Sequence, residues 1–145
     1  MSYNLFLDYI RNPEAMDYTG YGDFYRDTEW IVVRNYDEFL NILSSQGLPA
    51  MVSFDHDLAD EHYKVSMFNN PTKYSGYYTD GTFTEKTGYD CAKYLCDYCV
   101  ENTQELPKLF VHTMNPIGAE NIINYWWRAY EEILKQLEVE REGSN

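Results

Sequence analysis

In Ala50-Met51-Val52-Ser53-Phe54-Asp55-His56-Asp57-Leu58, a short apolar run ends abruptly in two carboxylates and an imidazole. The run has the length of a buried strand. An ionised group at the end of such a strand is costly unless a metal, a cation or hydrogen bonds compensate it, so the cluster marks a candidate site. Two other stretches share the form. Leu5-Phe6-Leu7-Asp8 has Arg11 just beyond it, and Leu109-Phe110-Val111-His112-Thr113 runs into Asn115-Pro116. Three predicted strands thus each end in a polar set.

Between them the chain alternates. Trp30-Ile31-Val32-Val33 is β-branched and reads as a second strand, and Asn35 is placed to cap a helix carrying Tyr36, Phe39, Leu40 and Leu43 on one face. Gly47 and Pro49 end it. Thr87-Gly88-Tyr89-Asp90 reads as a capping box with Asp in place of Glu, opening a helix whose apolar stripe is Ala92, Leu95, Cys96 and Cys99. Asn115 as N-cap and Pro116 at the first helical position start a long amphipathic helix, with Ala119, Ile122, Ile123, Trp126, Tyr130, Ile133, Leu134 and Leu137 expected to face inward. The charged tail, residues 138–145, is expected to fray. The Tyr- and Gly-rich passage from Tyr18 to Tyr25 shows no clear periodicity. Asp60 to Phe83 reads as a long loop, either a lid or binding loop or partly disordered, in which Tyr74, Tyr77 and Tyr78 could cover a nucleobase.

Strands alternating with helices predict an α/β flavodoxin-like three-layer sandwich with about four parallel strands. In the order 2-1-3-4 the direction reverses between strands one and three. Asp8 then faces Asp55 and Asp57 across the carboxyl ends, with His112 and Thr113 on the flank.

At 145 residues the chain fits a single domain, 1–145. Its net charge of −13 opposes sequence-independent binding to duplex nucleic acid, which needs Lys and Arg on phosphates. The start shows no signal peptide and no apolar run is of membrane length, so a cytoplasmic location is expected. Cys91, Cys96 and Cys99 are an odd number in one helical segment, the wrong layout for a disulfide framework; core packing is the reading.

The candidate chemistry follows from residue type. Asp8, Asp55 and Asp57 offer hard oxygens of the kind that hold Mg²⁺ or Mn²⁺, or else cap the loops they begin. His56 and His112 suit general acid/base work near neutral pH, or are core histidines with satisfied nitrogens. Arg11 can bind a phosphate bidentately or neutralise Asp8 or Asp55. Thr113 to Gly118, with Asn115, enters a helix whose first N–H groups form an anion site or an ordinary capped start.

Taken together, Leu5-Phe6-Leu7-Asp8 with Ile10-Arg11-Asn12-Pro13, Trp30 to Phe39, Ser53 to Leu58, Thr87 to Asp90, and Val111 to Ala119 resemble the cyclic-phosphate-processing receiver-like domain. That family is a shortened, divergent receiver fold found in bacteria and their phages. The resemblance implies action on, or binding of, a cyclic phosphate on a small nucleotide or RNA end. On that reading a divalent metal at Asp8, Asp55 and Asp57 polarises the phosphoryl oxygen or activates water, His56 or His112 moves protons, Asp57 and Arg11 complete the catalytic set, and Arg11 with Thr113, Asn115 and Gly118 at the helix start meets the phosphate. The family commonly has paired acids after its first strand, where this chain has Asp8-Tyr9. A binding module that sequesters such a ligand, as a phage factor in a host cytoplasm, is the alternative. A conventional receiver would carry a fifth strand with a Lys near the site, whereas here the lysine near strand four is Lys108, at its opposite end.

Overall fold

The computed structural model describes residues 2–58 and 86–143, with side chains described as far as Val139. The Asp60–Phe83 loop, with Tyr74, Tyr77 and Tyr78, lies outside the described residues. Four strands, β1 (Asn4–Leu7), β2 (Ile31–Val33), β3 (Met51–Phe54) and β4 (Lys108–Val111), form one parallel sheet in the order β2-β1-β3-β4. This is the expected order and the expected receiver-like α/β fold.

Helices α2 (Tyr36–Gln46), α3 (Gly88–Asn102) and α4 (Pro116–Gly143) cover one face of the sheet. Leu5, Leu7, Val52 and Phe54 point into that core and meet Phe39, Leu95, Cys96, Ile122 and Trp126. A 3-10 helix (Pro13–Thr19) and α1 (Gly22–Asp27) form the thinner layer opposite, around Phe6, Met16 and Tyr25. Right-handed crossovers account for the split, because the connection from β1 to β2 runs in the reverse direction to those from β2 to β3 and β3 to β4.

The caps form as the residue types require. Asn35 accepts from the N–H of Glu38, and Thr87 and Asp90 make both halves of a capping box. Gly47 closes α2 at φ 79°, a left-handed backbone that favours glycine. All three cysteines are free thiols buried in the core.

Two features differ from the sequence reading. The Tyr18–Tyr25 passage is not irregular, since it holds the end of the 3-10 helix and the start of α1, elements too short to show a period. On α4, Ile122, Trp126, Ala129 and Ile133 are the buried set, while Ile123, Tyr130, Leu134 and Leu137 are exposed, together with Trp127 at 60%. The helix carries two apolar stripes about a quarter-turn apart, and α3 with the sheet covers only one. The backbone of α4 is helical to Gly143.

Candidate functional site

Each site residue starts where a strand's hydrogen bonding stops. The N–H of Asp8 donates to Val33, that of Asp55 to Leu7, and that of His112 to Phe54. The three side chains therefore emerge together at the carboxyl edge, on both sides of the switch point between β1 and β3. Burial there is nearly complete: Asp8 is 0%, Asp55 1%, Asp57 4% and His112 1% exposed.

Asp8 is held by several partners. Its Oδ1 accepts from the N–H groups of Ile10 (3.0 Å) and Arg11 (2.7 Å), and Oδ2 lies 3.0 Å from His112 Nε2 and 3.6 Å from the Arg11 guanidinium. Burial pushes the Asp8 carboxyl up, but the bonds from His112, Arg11 and Ile10 outweigh it and hold the group below its ordinary value. Burial lowers His112, against the pull of Asp8, and so favours the neutral imidazole beside an ionised Asp8. Because Asp8 can only accept, His112 Nε2 carries the proton and Nδ1 must accept. Ser53 Oγ lies 2.7 Å from that Nδ1, and Tyr25 OH lies 2.7 Å from Ser53 Oγ. The result is a directed chain, Tyr25 to Ser53 to His112 to Asp8, with the imidazole stacked on Phe6 at 4.4 Å between ring centroids. Both ring nitrogens are satisfied, so His112 sits as a core histidine whose partners are side chains.

Asp55 is the opposite case. Burial pushes its carboxyl up to about 7, with the charges of Asp8 and Asp57 adding to the rise, while Arg11 and a hydrogen bond with Thr113 pull against it. Its proton is therefore labile near neutrality. His56 Nδ1 lies 3.4 Å from Asp57 Oδ1 and 3.5 Å from Asn115 Nδ2, and Asn115 Nδ2 is 3.4 Å from Asp57 Oδ1.

Two glycines let the helices close on this turn. A Cβ on Gly88 would stand 1.8 Å from the Asp55 carbonyl oxygen, and one on Gly118 would stand 2.4 Å from the His56 ring. The N–H of Gly118 donates to Asn115 Oδ1 at 3.0 Å, so Asn115 is the cap of α4 and that donor is already engaged. Thr113 Oγ1 accepts from Asn115 N at 3.1 Å.

The sequence-predicted residues Asp8, Arg11, Asp55, Asp57, His112 and Thr113 meet at one crevice, and His56, Asn115 and Gly118 pack together at its α4 side. Sequence reasoning missed Tyr25, Ser53, Tyr18 and Arg34. Tyr18 OH donates to the His112 carbonyl, and the Arg11 guanidinium lies 5.3 Å over the Tyr18 ring. Arg34 donates to the carbonyls of Asp8 (3.3 Å) and Arg11, clamping the loop after β1. Its position directly after β2, the neighbour of β1, is the signal that could have found it.

Among the described residues, no three His, Cys, Asp or Glu side chains are grouped as a metal site. The donor chemistry nevertheless fits an ion such as Mg²⁺, which uses one or two carboxylates and retains waters. The crowded negative charge that raises Asp55 is what a cation relieves. Asp55 and Asp57 are the residues that fit it.

A four-stranded parallel sheet with acids gathered at its switch point defines a receiver-like domain. A family model for the cyclic-phosphate processing Receiver domain matches residues 3–128, a span that contains every residue of the crevice, and the chain belongs to that family. No curated protein and no solved structure matches it.

Proposed function

We propose that the chain hydrolyses a cyclic phosphate on a nucleotide or RNA end at this crevice. The supporting observation is Asp55, a carboxyl buried beside Asp8 and Asp57, which burial and their charges push up to about 7, with Arg11 and Thr113 beside it. A group poised near the working pH is suited to move a proton in both directions. In its ionised form Asp55 takes a proton from the attacking water as the new P–O bond forms. The ring P–O bond breaks, and the same proton passes to the ribose oxygen that leaves, giving a phosphomonoester. Arg11 and Thr113 hold the phosphoryl oxygens as charge develops. His112 positions Asp8, which in turn fixes the Arg11 backbone, and His56 lies against Asp57. Mg²⁺ or Mn²⁺, if held by Asp55 and Asp57, would supply Lewis-acid polarisation; it would also take the place of the Asp55 proton, so Asp55 acts as the base only where no cation sits on it.

Incubation of the protein with 2′,3′-cyclic and 3′,5′-cyclic nucleotides and Mg²⁺ or Mn²⁺, followed by ³¹P NMR, tests this. The expected result is a monoester signal that Asp55→Asn abolishes. No turnover of any of them at high protein concentration defeats the catalytic reading. The near-complete burial of all three carboxylates, with Arg11 and Thr113 nearer the surface, favours a second reading in which the site holds the phosphate without cleaving it. Calorimetric binding with intact ligand recovered afterwards identifies that case.

A further inference from the structure

A groove of about 550 Å³ runs along the outer edge of β4 beside the crevice. Among the described residues β4 pairs only with β3. The N–H groups of Lys108 and His112 donate to Ala50 and Phe54 of the β3 side. By the alternation of a parallel ladder, the N–H and C=O groups of Leu109 and Val111 face the other way, along the groove. Its walls are aromatic and apolar, with Tyr18, Tyr21 and Phe110 on the side of the 3-10 helix and α1, and Ile123 on α4. His112 and Thr113 line its end nearest the acids. Tyr18 joins the two regions, since its ring forms a groove wall and lies under the Arg11 guanidinium.

The geometry points to this groove as the subsite for the nucleobase of the ligand, an inference that rests on the cyclic-phosphate reading above. The volume is that of a small-molecule site. Flat aromatic walls suit a base's faces. A base edge carrying a donor beside an acceptor matches the N–H and C=O that one strand residue presents, which is how an unpaired edge is satisfied without a further strand. A phosphate at Arg11 and Thr113 leaves the attached nucleoside directed along β4. The base therefore contributes affinity, and a cyclic phosphate without one binds less tightly.

Calorimetry with three probes tests this: 2′,3′-cyclic AMP, base-free glycerol 1,2-cyclic phosphate, and adenosine. The proteins are the parent chain, Tyr21→Ala and Ile123→Arg, both at exposed positions, with thermal melts to confirm folding. Expected is binding of 2′,3′-cyclic AMP about tenfold or more tighter than the base-free phosphate, a gap that both variants erase without changing the base-free affinity. Equal affinity for the two cyclic phosphates overturns the base subsite and leaves the phosphate reading standing. Binding of adenosine, lost in Ile123→Arg, while neither cyclic phosphate binds, supports the groove and defeats the phosphate reading. Failure of all three probes, or a dimer in sedimentation that Ile123→Arg dissociates, overturns the proposal.

Discussion

Replacing Asp55 by Asn removes the titrating carboxyl from the crevice and keeps an oxygen to accept from Thr113. The Asp55 carboxyl is pushed from its ordinary 3.8 to about 7, first by burial and then by Asp8 and Asp57. A carboxyl so raised keeps its proton longer in the folded than in the unfolded chain. Its contribution to stability is therefore complete below about pH 4 and is lost as the pH rises to about 7. At about 1.4 kcal/mol for each pH unit, the gap from 3.8 to about 7 corresponds to roughly 4 kcal/mol. The Asn variant has no such proton, so its stability relative to the parent should climb by up to that amount between about pH 4 and 7 and then level off. Urea denaturation of both proteins across this range, in EDTA, measures the difference and cancels the other charges of a chain at −13. Added Mg²⁺ should then flatten the parent's dependence, because a cation at Asp55 and Asp57 takes the place of the proton. A difference that stays constant with pH, or a variant less stable than the parent above pH 7, refutes the account of Asp55 as an uncompensated buried charge.

Three further outcomes follow from the same geometry. Ser53→Ala leaves His112 Nδ1 and Tyr25 OH without their shared partner and should lose about 1–3 kcal/mol in urea denaturation, against about 1 kcal/mol for Tyr25→Phe. Gly88→Ala drives a methyl into the Asp55 carbonyl and should lose about 2 kcal/mol or more, read as a fall in Tm. Burial pushes all three thiols up, Cys99 to about 11, so none should react with a disulfide reagent at pH 8 in the native protein and all three should react in guanidinium.

The frame of the site was legible because it depends on local signals. Asn35, the Thr87–Asp90 box and Asn115-Pro116 mark helix starts by their own chemistry, and three apolar runs ending in Asp8, Asp55 and His112 announce strand ends. The order β2-β1-β3-β4 then brings them together. What escaped depends on partners distant in sequence. Ser53 reads as a small polar residue within a strand, and only the fold brings Tyr25 and His112 to either side of its hydroxyl. Gly118 suggests a phosphate loop, but its position is set by the His56 ring beneath it. On α4, Ile122 and Ile123 are equally apolar neighbours, and only the packing against α3 and the sheet decides that the first is buried and the second exposed.

The central claim is that Asp8, Asp55, Asp57, Arg11 and Thr113 form one pocket for a cyclic phosphate. Crystals grown with Mn²⁺ and 2′,3′-cyclic AMP, measured with anomalous diffraction, test it most directly. The expected result is a manganese peak against Asp55 and Asp57, with phosphorus beside Arg11 and Thr113. Phosphorus bound elsewhere on the chain, or manganese with no carboxylate of this crevice around it, contradicts the claim.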